Sequence, residues 1–223
     1  MAHDFQRPFS LPEGATEVVL VRHGSSARST SEAPIDLIDG RSDPPLSDSG
    51  RRQADAVGER LADSRIDSLF VTPLQRTQQT AAPLAHRLGL QPTVVPDLRE
   101  VFLGEWEGQL NDRVASEVEL SKQLFAGERW DVIPGAESMD AFSERVRRGL
   151  NRLVETVGAD ATAVAVVHGG VIAEACRQAT SSQAFAFIYA ENASLTRIMR
   201  LASGRWLLIS FNDTTHLGAV QKR

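Results

Sequence analysis

The sequence contains a single cysteine, Cys176, among its 223 residues, so it cannot form an internal disulfide or a paired-thiol metal or redox site. Because Cys176 ends the apolar stretch 171–176, we expect its thiol to be a small buried group. Runs of five or more basic residues are also missing, and the net charge is −5. This charge pattern argues against binding to nucleic acid or to an anionic membrane surface.

Long hydrophobic segments are missing as well. The longest apolar runs, such as residues 163–167, are far shorter than the roughly 20 residues that a membrane-spanning helix needs. The first residues lack the apolar core of a signal peptide, so we expect a cytoplasmic protein with no membrane partner. We interpret residues 1–15 as a leader and residues 16–223 as a single domain, since 42% of the residues are apolar and can form a core.

Short β-branched runs alternate with amphipathic segments along most of the chain. This alternation predicts an α/β layered domain with a largely parallel sheet, and the polar stretch 24–45 is predicted to be a loop. Strands are predicted at 17–22, 68–72, 93–95, 162–167, 195–201 and 206–211, and helices after Ser47, from Pro73 to about Leu88, over 138–157 and after His168-Gly169-Gly170.

Reactive side chains lie at, or shortly after, the ends of three predicted strands. Arg22 ends the first strand and His23 follows it, Arg76 comes four residues after the second, and His168 follows the fourth. The carboxyl ends of parallel strands share one edge of a sheet, and ligands bind there. An imidazole is a nucleophile near neutral pH, and a guanidinium fork binds phosphate oxygens. Alone, each of these residues could equally be an ordinary polar group at a strand end.

Two further features fit the same chemistry. Arg76 falls in the first turn of its predicted helix, where free N–H groups and the helix dipole favour an anion. Glu100 could be a general acid that protonates a leaving group, although Glu105 and Glu107 meet the same chemical requirement. Cationic groups around a histidine nucleophile, with an acid nearby, are the components of phosphoryl transfer.

The segments that carry these residues resemble, in order and spacing, the histidine phosphatase superfamily, in its phosphoglycerate-mutase-like branch. The resemblance extends from Glu17 to Leu217. It rests on Val21-Arg22-His23-Gly24, Gly40 to Ala54, Thr72 to Ala81, Leu98-Arg99-Glu100 through Gly108, Pro134-Gly135-Ala136-Glu137-Ser138, His168-Gly169-Gly170, Asn192-Ala193-Ser194 and Phe211 to Leu217.

The resemblance implies a three-layer α/β/α sandwich and a role for each residue of the site. His23 would become phosphohistidine, Glu100 would donate the proton, and no metal or cofactor would be needed. The phosphoryl group would be bound by Arg22, Arg76, His168, Gly169 and Ser29. Ser29 replaces a common asparagine, so this contact could instead come from Arg28. Ser25 and Ala136 are further departures from the usual motifs.

Three functions remain open at this point: a phosphatase of small phosphomonoesters, a phosphoglycerate mutase, or a catalytically silent binding protein. Mutases of this branch carry a longer insert after the segment Leu98 to Gly108, which contains Glu100 and is called the acid loop below. In this chain the segment that follows, residues 109–133, is short and acidic. We therefore expect a phosphatase, with a small phosphorylated metabolite as its partner. Selectivity is expected from residues 25–39 and 109–133, where Trp130, like Trp106, is expected to pack in the core. The resemblance allows a homodimer, because many relatives are dimers, and nothing in the sequence decides whether this chain forms one.

Overall fold

The computed structural model describes residues 10–28 and 35–218. Helices and strands alternate through most of them, as the sequence predicts. The strands are β1 (Thr16–Arg22), β2 (Leu37–Ile38), β3 (Arg41–Ser42), β4 (Ser68–Val71), β5 (Thr93–Val94), β6 (Ala161–Val167), β7 (Leu195–Arg200) and β8 (Trp206–Asp213). The helices are α1 (Asp48–Leu61), α2 (Gln75–Leu88), α3 (Leu110–Ser116), α4 (Val118–Gly127), α5 (Met139–Val157) and α6 (Gly169–Thr180).

The main sheet has six strands in the order β5-β4-β6-β1-β7-β8. Only β7 runs against the other five, because it pairs antiparallel with both β1 and β8. Along β1, Val18 and Leu20 enter the core on one face of the sheet, while Val19 and Val21 enter the core on the other. Burial on both faces explains why this strand is a continuous apolar run.

Helices cover both faces of the sheet, which confirms the three-layer α/β/α arrangement. Helices α1 and α2 pack on the face that contains Val19 and Val21. Helices α5 and α6 pack on the opposite face, together with the segment around Leu98 and the aromatic ring of Trp106. The sheet therefore sits between two apolar cores, and its strand ends are held between the two helical layers.

Helix ends follow their capping residues, with one correction. The hydroxyls of Ser47 and Ser138 accept the backbone N–H groups that begin α1 and α5. The prediction that Pro73 occupies the first position of α2 is wrong, because that helix begins at Gln75. The Asp43 carboxylate accepts the Gln75 N–H at 2.8 Å and so supplies the cap from a distant segment.

Two stretches contain structure that the sequence did not predict. Residues 24–45, predicted to be a loop, include the two-stranded β2–β3 pair. Residues 109–133 contain α3 and α4, two short helices packed beside the core. In the part of the chain that the structure describes, no helix combines the length and the apolar composition needed to cross a lipid bilayer.

Candidate active site

The ends of three neighbouring strands, β4, β6 and β1, bring the predicted site residues together. His23 follows β1, and its backbone N–H donates to the Val167 carbonyl at the end of β6 at 3.0 Å. His168 follows Val167 directly, so the two imidazole rings meet with centroids 5.2 Å apart and an interplanar angle of 61°. Both histidines are buried. The expected convergence at one edge of the sheet is thus present.

Hydrogen bonds fix the orientation and the tautomer of His23. Its Nδ1 lies 2.8 Å from the Gly24 carbonyl oxygen. A carbonyl can only accept, so Nδ1 carries the proton and Nε2 holds the free lone pair. The Asn192 side chain donates to the His23 carbonyl at 2.9 Å, and the Gly24 N–H donates to Thr80 Oγ1 at 2.9 Å. The peptide that presents the ring is therefore held on both sides.

Burial and neighbouring guanidinium groups keep both imidazoles neutral. Desolvation is the main cause that lowers the pKa of His23 well below its usual value, and the charges of Arg76 and Arg22 lower it further. The pKa of His168 is also lowered well below its usual value. Desolvation is again the main cause, and the charge of Arg76 is the next. A neutral His23 with a free Nε2 is a competent nucleophile at neutral pH.

The two arginines lie inside the site and are partly committed to backbone carbonyls. Arg76 donates to the Ser42 carbonyl at 2.9 Å, and Arg22 donates through Nη1 to the Ala190 carbonyl at 2.5 Å. Burial lowers the pKa of each guanidinium, and the Glu100 carboxylate partly opposes that shift. Each arginine is nevertheless cationic at neutral pH, since a guanidinium is not deprotonated in proteins.

Two buried nitrogens in this cluster have no hydrogen-bond partner among the described residues: Nε of Arg22 and Nδ1 of His168. His168 Nε2 lies 3.0 Å from the Thr72 hydroxyl. When that hydroxyl donates to Nε2, Nδ1 carries the proton and is a donor. A buried donor without a partner costs about 1–3 kcal/mol. These two nitrogens lie in the cluster that contains His23, and an oxyanion could accept from both of them.

Glu100 lies across the start of α6. One carboxylate oxygen accepts the Val101 N–H at 2.9 Å, and the other accepts the Gly170 N–H at 3.2 Å. Gly170 has to be small, because a Cβ at that position would lie 2.6 Å from the first of these oxygens. The half-buried carboxylate is thus held at the start of α6 and remains partly accessible to solvent.

The structure distinguishes Glu100 from the two acids that match it chemically. Glu107 uses one oxygen to accept the Ser42 N–H at 2.9 Å and the other to accept the Leu103 N–H at 3.1 Å. Its role is to hold the acid loop to β3. Glu105 is exposed. Of the three carboxylates, Glu100 is the one that contacts the start of α6, directly after His168.

Arg145, which the sequence reasoning missed, holds the acid loop in place. Its Nε and Nη2 form a two-point ion pair with Glu137 at 2.7 and 2.8 Å. The remaining N–H groups donate to the carbonyls of Asp97, Arg99 and Glu100 at 2.6 to 2.9 Å. All five guanidinium donors are therefore used. The signal was present in the sequence, because Arg145 occupies a position of the apolar stripe of α5.

Other predicted positions have definite outcomes. Ser29 lies outside the described residues, and Arg28 is exposed. Gly169 opens α6 directly behind His168, and the Arg22 Nε would lie 3.4 Å from a Cβ there. Ala136 replaces a glycine without strain, because the positive φ of that turn, +72°, falls on Gly135.

The packing expectations are confirmed. Trp106 and Trp130 are both buried in the core that also contains Leu124, and Cys176 lies in the same core. Burial raises the pKa of the Cys176 thiol to about 12, so this thiol is inert at neutral pH. Within residues 10–28 and 35–218, no group of three or more His, Cys, Asp or Glu side chains is placed to hold a metal ion.

A cavity of about 370 Å³ opens beside Arg22, and the sequence analysis did not assign it a role. It is lined by Arg22, Gln53 and residues 188–192. Tyr189 at its rim has 80% of its surface exposed. This segment carries no recognisable motif before Asn192, and only the fold brings it beside Arg22.

Comparison with known proteins places this geometry in context. A model of the histidine phosphatase superfamily (branch 1) matches residues 18–214. A relative from Yersinia enterocolitica named "Probable phosphoglycerate mutase" is 34% identical over 211 residues, which cover 90% of this chain and 94% of the relative.

Two solved structures show the same fold. A mycobacterial glucosyl-3-phosphoglycerate phosphatase in complex with inorganic phosphate superposes with a TM-score of 0.72 at 28% identity, covering 90% of this chain and 98% of that chain. A phosphoglycerate mutase from Bacillus anthracis superposes with a TM-score of 0.75 at 20% identity, covering 94% and 98% of the two chains. At that level of identity the second likeness concerns the fold alone.

Proposed function

The chain belongs to the histidine phosphatase superfamily, branch 1, and from this premise we propose that it hydrolyses small phosphomonoesters through a phosphohistidine on His23. One observation carries the proposal. Two buried nitrogens, Arg22 Nε and His168 Nδ1, have no hydrogen-bond partner in the described part of the chain and lie beside a neutral imidazole with a free Nε2. A phosphoryl group would supply acceptors to both donors and place its phosphorus near that nitrogen.

The first half of the reaction forms the phosphoenzyme. The lone pair of His23 Nε2 attacks phosphorus while the bond from phosphorus to the leaving oxygen breaks. Arg22, Arg76 and His168 stabilise the charge on the three other phosphoryl oxygens. The protonated carboxyl of Glu100 gives its proton to the leaving oxygen, so an alcohol departs and a carboxylate remains.

The second half releases phosphate. A water molecule attacks the phosphorus of the phosphohistidine and gives a proton to the Glu100 carboxylate. The bond between phosphorus and Nε2 breaks, and its electron pair returns to the imidazole. His23 Nδ1 keeps its proton throughout, since its hydrogen bond to the Gly24 carbonyl stabilises the positive charge that the phosphorylated ring carries.

The name of the Yersinia relative makes mutase activity the second candidate, and ion pairs in the segment after the acid loop argue against it. A mutase has to hold a second acidic group of its substrate with free basic residues. Here Arg113 pairs with Glu117 at 2.7 Å, Lys122 with Glu119 at 3.6 Å, and Arg129 with Asp131 at 2.6 Å. Each basic side chain of this segment is already matched by an acid, which favours hydrolysis over mutase chemistry.

The experiment that tests the proposal is hydrolysis of p-nitrophenyl phosphate between pH 5 and 8, with and without EDTA. The proteins are the wild type, His23→Ala, and His86→Ala as an exposed histidine outside the site. We expect activity that resists EDTA, vanishes in His23→Ala and persists in His86→Ala. Hydrolysis that survives in His23→Ala would exclude the phosphohistidine route, and loss of activity with EDTA would exclude a metal-independent mechanism.

An assay with 3-phosphoglycerate as the substrate distinguishes the two candidate functions. The proposed phosphatase releases inorganic phosphate from a phosphomonoester without a bisphosphorylated cofactor. Interconversion of 3- and 2-phosphoglycerate faster than phosphate release would identify a mutase instead.

A further inference from the structure

The backbone that borders the cavity beside Arg22 is anchored at four successive residues. The Ala190 carbonyl accepts from Arg22, and the Glu191 N–H donates to the Asn212 side chain at 2.7 Å. The Asn192 side chain donates to the His23 carbonyl at 2.9 Å. The Ala193 N–H donates to the Arg22 carbonyl at 2.9 Å. The segment 190–193 is therefore fixed to the end of β1 and keeps its place relative to the nucleophile.

Tyr189 precedes this fixed segment and is the most exposed large side chain among the described apolar and aromatic residues, with 80% of its surface accessible. An aromatic ring has only two side-chain torsions, so it loses little conformational freedom when it stacks on a ligand. Stacking on a ring or an apolar face is the contact such a side chain favours. Its position beside the cavity that reaches Arg22 links it to the candidate active site.

The charges that line the cavity limit what it can accept. Among the described residues, Arg22 is the one basic side chain that lines it; its Nη1 binds the Ala190 carbonyl, and its Nε is the donor proposed for the phosphoryl group. The other lining residues are neutral or apolar, apart from the acidic Glu191. A second anionic group on the substrate, such as a carboxylate, would find no cation of its own among these residues.

We propose that this cavity receives the leaving-group half of the substrate and that Tyr189 stacks on it. The substrate class is then a phosphomonoester of an uncharged, ring-bearing alcohol, as opposed to a carboxylated one. This inference rests on the proposed phosphohydrolase activity, because the phosphoryl group has to occupy the donors of Arg22 and His168 for the remainder of the molecule to reach Tyr189.

The kinetic test compares phenyl phosphate with 3-phosphoglycerate. Tyr189→Ala should raise KM for phenyl phosphate about three- to tenfold, the range expected for one lost aromatic pair, and leave kcat nearly unchanged. Tyr189→Phe should restore the wild-type KM, since it keeps the ring. Val94→Ala is the control, because Val94 is also an exposed apolar side chain, at 44%, but lies on β5, outside the segments expected to set selectivity. A KM for phenyl phosphate that is the same in Tyr189→Ala and wild type would overturn the inference, as would a preference of the wild type for 3-phosphoglycerate.

A binding measurement tests the inference without catalysis. Tyr189 is the only tyrosine of the chain, so the protein labelled with 3-fluorotyrosine gives a single fluorine resonance. Titration with phenylphosphonate, which cannot be hydrolysed, should shift that resonance several times more than titration with inorganic phosphate. Equal shifts, or none with phenylphosphonate, would overturn the placement of the leaving group. Failure of p-nitrophenyl phosphate hydrolysis with a normal phenylphosphonate shift would instead count against the proposed catalysis alone.

Discussion

Replacing Gly170 with alanine should lower the rate of hydrolysis and leave the stability of the fold nearly unchanged, because the new methyl group would lie against the Glu100 carboxylate. Its Cβ would stand 2.6 Å from one carboxylate oxygen of Glu100, whereas ordinary contact begins at 3.4 Å. The carboxylate would have to retreat by roughly 0.8 Å to reach that contact, and a retreat of that size lengthens its hydrogen bond to the Gly170 N–H. The Glu100 side chain is flexible, so the backbone of α6 need not move.

The expected effects on stability and on rate differ in size. An alanine in a helix is favoured over glycine by up to about 1 kcal/mol, which offsets the small cost of moving one carboxylate, so the free energy of unfolding should change by less than about 1 kcal/mol. A general acid contributes roughly 10²- to 10⁴-fold to a rate, and misplacement by about 1 Å can cost 10²-fold. We therefore expect hydrolysis of an alkyl phosphate to fall about 100-fold.

The assay compares kcat for glycerol phosphate and p-nitrophenyl phosphate in the wild type, Gly170→Ala and Gly127→Ala. Nitrophenolate departs without a proton, so its ester should lose far less activity in Gly170→Ala than glycerol phosphate does. Gly127→Ala is the control, since it makes the same change on α4 with no contact closer than 3.4 Å. Equal losses for the two esters would refute the assignment of Glu100 as the proton donor.

Two further predictions concern stability. Arg145→Met should lower the free energy of unfolding by about 3–5 kcal/mol, because it removes the two-point ion pair of Glu137 and the Arg145 hydrogen bonds to three carbonyls, and should lower Tm by roughly 10 °C in calorimetry. A change below about 1 kcal/mol would contradict the network. The pKa values of His23 and His168 are lowered in the folded chain, so the unfolded chain binds more protons below their ordinary pKa of about 6.5. The contribution of the two histidines to the free energy of unfolding should be complete above that pH and should fall below it, by up to about 1.4 kcal/mol per pH unit for each histidine. Urea unfolding at pH 5, 6 and 7 measures this dependence, and the same free energy of unfolding at all three pH values would contradict the prediction.

The parts of the site that the sequence predicted are those that follow strands. A buried strand is a continuous β-branched run, so its end is visible in the sequence. His23 and His168 each follow such a strand directly, and Arg76 lies in the first turn of the helix that comes after another. The order of the strands places β4, β6 and β1 side by side, which turns three separate motifs into one cluster.

The parts that were missed depend on contacts between distant segments. Arg145 became visible as a clamp only when the acid loop packed against α5, because its partners are mostly backbone carbonyls that leave no trace in the sequence. Pro73 was misplaced for a related reason, since the cap of α2 comes from Asp43 in another segment. Tyr189 had no periodic pattern around it, and its relation to Arg22 exists only in the folded chain.

The bond from the Asn192 side chain to the His23 carbonyl joins residues 169 positions apart in the chain. His23 directly follows β1, whose neighbours in the sheet, β6 and β7, both come from the last third of the sequence. Contacts of such long range form late, because the entropy of closing the intervening chain has to be overcome first. An early, partly folded form therefore lacks the contacts that position His23. The rate at which hydrolysis returns after dilution from denaturant would report the rate at which the complete sheet forms.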